Sequence, residues 1–164
     1  MTLAFALHNK ELRWLSYANA TSISKDHYSE TYHGTAESLV NDCIHRGLLE
    51  VEPLGGVSFG HFTYQEFLAA KYLSHRNPVE FIWKHIDSDW WRKALEFYAA
   101  LKGDITPLVQ IAAKYGADNK RFYRLFELIK LAPFTSERNI RKFAKLRRLP
   151  YKNLLRDISS VPRE

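Results

Sequence analysis

The chain has 164 residues, 46% apolar and 14% aromatic, enough to bury a core as one domain or two small ones. No apolar run reaches transmembrane length, the first residues lack a basic n-region, and the single cysteine, Cys43, cannot close an internal disulfide. A membrane span and a secretory signal are therefore not expected, and a reducing, cytoplasmic setting is. The net charge of +6 is a C-terminal feature: residues 137–164 hold nine Lys/Arg against three acids, whereas residues 1–74 hold five against eight.

Residues 3–18, "LAFALHNKELRWLSYA", read as an amphipathic helix, and "TSISKDHYSE" offers Ser and Thr caps for a short second one. Gly34 and Thr35 introduce a third helix, "AESLVNDCIHR", with Leu39, Val40, Cys43 and Ile44 on one side and Gly47 at its C′ position. Two short β-type runs then flank a Pro-Leu-Gly-Gly turn in "LLEVEPLGGVSFGH", which predicts a hairpin. Three helices and a two-stranded wing make a winged helix, expected over residues 1–76.

The next helix opens inside "FGHFTYQEFLAAKYL". Thr63 and Glu66 have the spacing of a capping box, and Phe62 and Phe67 that of a hydrophobic staple around it. Phe67, Leu68, Ala70 and Leu73 continue as an apolar stripe. His61 is not needed by that helix start and calls for another explanation.

Residues 77–164 predict a helical array with a basic end. Asn77-Pro78 and Thr106-Pro107 look like caps followed by proline, Asp87 or Ser88 can cap "DWWRKALEFYAALK", and Gly103 and Gly116 act as stops. Trp91, Ala94, Leu95 and Tyr98 share one helical face, as do Phe122, Leu125, Phe126 and Ile129 in the helix that Asp118 can cap. Ser136 begins a basic helix, "ERNIRKFAKLRRL", with Ile140, Phe143 and Ala144 on one side, interrupted at Pro150. The fold class expected is mainly α: a winged helix with a short hairpin wing, then a helical array.

The chemistry-bearing motifs of common enzymes are missing. No glycine is followed by lysine, so a phosphate-binding loop cannot occur. Cys43 and His45 alone cannot assemble a four-ligand zinc site, and no serine sits in a nucleophile elbow. A self-contained enzyme is not expected, and no metal or cofactor is assigned to this chain. A winged helix raises the alternative of a DNA-binding transcriptional regulator, with the third helix in the major groove. That helix carries Glu37 and Asp42 against Arg46, and the wing carries Glu50 and Glu52 with no cation. Phosphate contacts supply most non-specific affinity, so this reading head has the wrong sign and nucleic acid is not its expected partner. The partner of the basic C-terminal segment is left open.

Residues 57–73, "VSFGHFTYQEFLAAKYL", resemble a signature of NACHT-type proteins of the STAND class of nucleotide-dependent switches. Phe59, His61, Gln65, Glu66, Phe67, Ala69 and Ala70 match at the family spacing, and "WWRKALEFYAALKGD" looks like the tryptophan-bearing helix that follows. The resemblance is specific over about residues 35–103 and weaker on either side. It implies that His61 points at the β-phosphate of ADP held by a separate nucleotide-binding domain, in the same chain or a partner. It also implies that ADP or ATP belongs to that domain, because this sequence lacks its P-loop, its Walker B acids and the helical segment before the winged helix. The chain would then be a fragment of a larger switch or a degenerate relative. Gln65 and Glu66 are expected to be structural.

Overall fold

The computed structural model describes residues 1–26, 34–116 and 118–146, which form two compact units, Met1–Tyr72 and Leu73 onward. The division falls inside a helix, slightly before the expected 76/77 boundary. The first unit contains α1 (Thr2–Asn9), β1 (Trp14–Ser16), α2 (Tyr17–Asp26), α3 (Ala36–His45), β2 (Leu49–Val51), β3 (Gly56–Phe59) and most of α4 (Phe62–Arg76). The second contains α5 (Val79–His85), α6 (Arg92–Lys102), α7 (Thr106–Tyr115), α8 (Asn119–Lys130) and α9 (Glu137–Leu146). The protein is mainly α with a short hairpin, as expected.

The beginning of the chain departs from the sequence reading. Residues 3–18 are not one helix. The α1 helix stops at Asn9, and Glu11 takes a left-handed φ of 54°. The Glu11 amide then bonds the His8 carbonyl, and the Leu12 amide bonds the Leu7 carbonyl. This is a Schellman ending built without glycine. The freed residues form β1, which pairs antiparallel with β3, so the sheet has three strands in the order β1-β3-β2. The α2 helix starts at Tyr17, which places Thr21 and Ser22 inside it; the Thr21 hydroxyl donates to the Tyr17 carbonyl instead of capping. Residues 27–30 of the predicted second-helix stretch lie outside the described residues.

Gly56 shows how close β1 lies to β3. A Cβ at this position would stand 2.7 Å from Cε3 of Trp14 and 2.8 Å from the Leu15 carbonyl oxygen. Gly56→Ala is therefore expected to cost about 1–3 kcal/mol, the usual range for overpacking against backbone. An unchanged urea midpoint would show that β1 does not hold this place.

The third helix and the wing agree with their sequence signals. Thr35 caps α3 by accepting from the Ser38 amide, and the Ser38 hydroxyl accepts from the Thr35 amide. Gly47 (φ 71°) and Leu48 close α3 through the Ile44 and Cys43 carbonyls, again a Schellman motif. In the hairpin the Gly55 amide bonds the Glu52 carbonyl and Gly55 has φ 78°. Pro53 and Leu54 therefore occupy a turn followed by a left-handed glycine bulge. The core of this unit joins Ala4, Leu7, Leu15, Val40, Leu49 and Phe59.

At α4 the capping expectation is corrected. The helix begins at Phe62, one residue before Thr63, so Thr63 lies in the first turn rather than at the N-cap position. The staple register of Phe62 and Phe67 shifts with it, and Phe67 is 37% exposed rather than part of the buried stripe. Thr35→Ala should accordingly cost about 0.5–2 kcal/mol. Thr63→Ala should stay within about 0.5 kcal/mol. Equal shifts in the two urea midpoints would restore Thr63 as a cap.

Within the second unit several caps move. Asn77 does not cap α5; with φ 48° its amide bonds the Leu73 carbonyl, so it ends α4, and its side-chain oxygen accepts from the Tyr98 hydroxyl at 2.8 Å. The α6 helix begins at Arg92, not at Asp87 or Ser88, because Asp87 and Asp89 pair with Arg121 and Arg124 of α8. Thr106 is the first residue of α7, and its hydroxyl accepts from the Ser136 amide. Asp118 caps α8 through the Arg121 amide, and Ser136 precedes α9 as expected. Trp91, Ala94, Leu95 and Tyr98 are all buried, as are Phe122, Leu125 and Ile129; Phe126 is half-buried under Lys130. The Phe143 side chain and residues 147–164, including Pro150, lie outside the described residues.

Burial, with the charge of Asp104 nearby, pushes the Tyr98 hydroxyl up to about 12. The folded chain thus keeps a proton that an unfolded tyrosine loses near pH 10. Stability from this group is full below about pH 10 and declines towards about pH 12. Tyr98→Phe should flatten that decline in urea midpoints taken across the same range. A decline identical to wild type would assign it to other groups.

Candidate functional site

The strand β3 delivers the chain to α4 through two residues, Gly60 and His61. The Gly60 amide bonds the Leu48 carbonyl at 3.2 Å, extending the ladder by one residue. A Cβ on Gly60 would meet Glu50 Oε1 at 2.9 Å and the Gly47 carbonyl oxygen at 3.2 Å, so glycine lets the turn sit against β2. His61 then stands at the N-cap position: its carbonyl accepts from the Tyr64 amide at 2.9 Å. Its side chain is exposed, and its ring meets that of Tyr64 edge-on, centroids 5.6 Å apart.

This position has an electrostatic consequence. The exposed imidazole belongs to the residue that opens α4, where the first amides and the positive end of the helix dipole favour an anion. The Arg13 guanidinium lies 4.6 Å over the Phe62 ring, bringing a permanent cation to the same helical turn.

The remaining motif residues face inward or along the helix. Phe59 is in the core of the first unit, and Ala69 and Ala70 are fully buried. Gln65 is fully buried and donates from Nε2 to the Leu12 carbonyl at 2.9 Å, tying α4 to the segment that leaves α1. Its Oε1 has no hydrogen-bond partner among the described residues. Glu66 is also buried. Phe62 packs beside the buried His8, centroids 5.9 Å apart. The structure therefore brings His61 and Tyr64 together at the surface and withdraws Gln65 and Glu66 from it. Tyr64 is the residue that sequence reasoning passed over; its place three residues after His61 on a helix is the signal that was available.

Other chemistry in the first unit is sparse. An apolar cavity of about 170 Å³ lies under α1 and α3, bordered by Leu3, Val40, Leu49, Phe59, Leu68 and Cys43. Burial pushes the Cys43 thiol up, away from the thiolate that a nucleophile needs. Among the described residues no group of His, Cys, Asp or Glu is placed to hold a metal ion, and no helix is long and apolar enough to cross a membrane. On α3 and the wing, Glu37, Asp42 and Glu50 are exposed, which keeps the acidic sign read from the sequence. No family model, no curated protein and no solved structure matches the chain.

Proposed function

We propose that this chain is the winged-helix and helical segment of a NACHT-like STAND switch, a regulatory module that packs on a nucleotide-binding domain. His61 senses the ADP bound there. One observation carries the reading: the motif histidine is exposed at the N-terminal turn of α4, beside an exposed tyrosine, while the motif residues Phe59, Gln65, Glu66, Ala69 and Ala70 are buried. A neutral imidazole can donate one hydrogen bond to a phosphate oxygen, and a protonated one adds charge. The helix terminus behind it favours the same anion. Gln65 and Glu66 shape the scaffold and take no part in phosphate contact. ATP or ADP is held by the partner domain, so this chain supplies the sensor and not the catalytic loop.

The test is to join this chain to a nucleotide-binding domain of that class and follow exchange of bound ADP. The reading expects slower exchange with the chain present than without it. Equal exchange rates would remove it.

A further inference from the structure

The cations of the second unit fall into two groups. On α6 and α8 most are compensated: Arg92 and Lys93 pair with Glu96, Lys120 and Arg124 with Asp89, and Arg121 with Asp87. On α9 Arg141 pairs with Glu137 on the preceding turn. Arg138, Lys142 and Lys145 are exposed and make no ion pair among the described residues. Their spacing, with Arg141, puts four cations on one side of the helix.

That side is concave. Arg138, Arg141, Lys142 and Lys145 line one open groove together with Glu137, whose carboxylate is taken up by Arg141, and Lys142 also borders a cleft between α7 and α9 that contains Lys114, Gln110 and Asn139. At the end of α7 the Lys114 ammonium sits 4.8 Å above the ring of Tyr115, which is 62% exposed. Cations that track a groove, amides beside them and an open aromatic face are the parts that bind a single strand by backbone and base stacking. Ile140 and Ala144, on the apolar side of α9, are buried in the fold and are not available to insert into a lipid surface.

We infer that α9 and the end of α7 form a binding surface for single-stranded nucleic acid, with phosphates on Arg138, Lys142, Lys145 and Lys114 and a base on Tyr115. This surface belongs to the second unit, whereas α3 and the wing, whose exposed acids argue against DNA there, belong to the first. It does not depend on the proposed role of His61.

The experiment is fluorescence anisotropy with a labelled oligothymidylate of about 20 nucleotides, long enough to cover such a groove. With about four phosphates neutralised, affinity should fall roughly fiftyfold between about 50 and 200 mM salt. Lys142→Gln with Lys145→Gln should weaken binding about tenfold or more at low salt and flatten the salt dependence. Lys142→Arg with Lys145→Arg keeps the charge and should retain binding. The matched control Lys10→Gln with Lys84→Gln removes the same charge elsewhere and should change affinity less than about twofold. Tyr115→Ala should weaken single-strand binding about fivefold while sparing duplex. The inference is overturned if the control weakens binding as much as the α9 pair, or if Tyr115→Ala has no effect. It is equally overturned if phosphatidylserine vesicles or polyglutamate bind while the oligonucleotide does not.

Discussion

Trp91→Ala is expected to give the largest loss of stability of any substitution considered, about 3–5 kcal/mol. Trp91 is 1% exposed and stands immediately before α6. Its ring meets Phe81 edge-on at 5.2 Å and lies 5.4 Å from the His85 ring, and both partners come from α5. His85 is itself held by a 2.8 Å hydrogen bond from Nδ1 to the Phe81 carbonyl, which fixes the stack. Removing the indole leaves a cavity that neither ring can fill without leaving its rotamer, so the transfer and cavity terms add. The measurement is urea unfolding followed by amide exchange, so that the second unit is read apart from the first. A cost below about 1 kcal/mol would mean that the indole is not a core element.

The parts of the fold with a local signal were legible in the sequence. Gly47 and Gly103 stand where a left-handed residue ends a helix, and Thr35, Asp118 and Ser136 stand where a side chain or turn begins one. What the sequence hid was decided by partners far away in the chain. The α1 helix ends on Glu11, a residue that carries no stop signal, because β1 gains its hydrogen bonds only from β3. Asp87 looks like a cap until Arg121 claims its carboxylate. Asn77 looks like the start of α5, yet Tyr98 and the Leu73 carbonyl make it the end of α4.

The candidate site followed the same division. The motif located His61 at the strand–helix junction, and its spacing placed Tyr64 within reach. The capping box at Thr63 and Glu66 matched a local pattern, but the helix starts one residue earlier. Gln65 could not be assigned from sequence, because its bond partner, Leu12, belongs to a segment that reads as helix when taken alone. The pairing of α8 arginines with Asp87 and Asp89 depends on tertiary contacts and was equally invisible.

His61→Ala carries the central claim, in a protein where this chain is joined to an ADP-loaded nucleotide-binding domain. The exposed ring adds little to the core of the first unit, so the substitution should spare folding: surface changes of this kind stay within about 0.5 kcal/mol. A hydrogen bond to a charged phosphate contributes about 1.5–3 kcal/mol, which corresponds to roughly a ten- to hundredfold change in nucleotide retention. His61→Asn should rescue only part of this, since an amide donates a hydrogen bond but cannot gain a proton. The deciding measurement is the release rate of labelled ADP from the wild-type and His61→Ala proteins, alongside the urea midpoint of this chain alone. The account predicts release at least about tenfold faster with an unmoved midpoint. Unchanged ADP release with a lowered midpoint would contradict it and make His61 a structural residue.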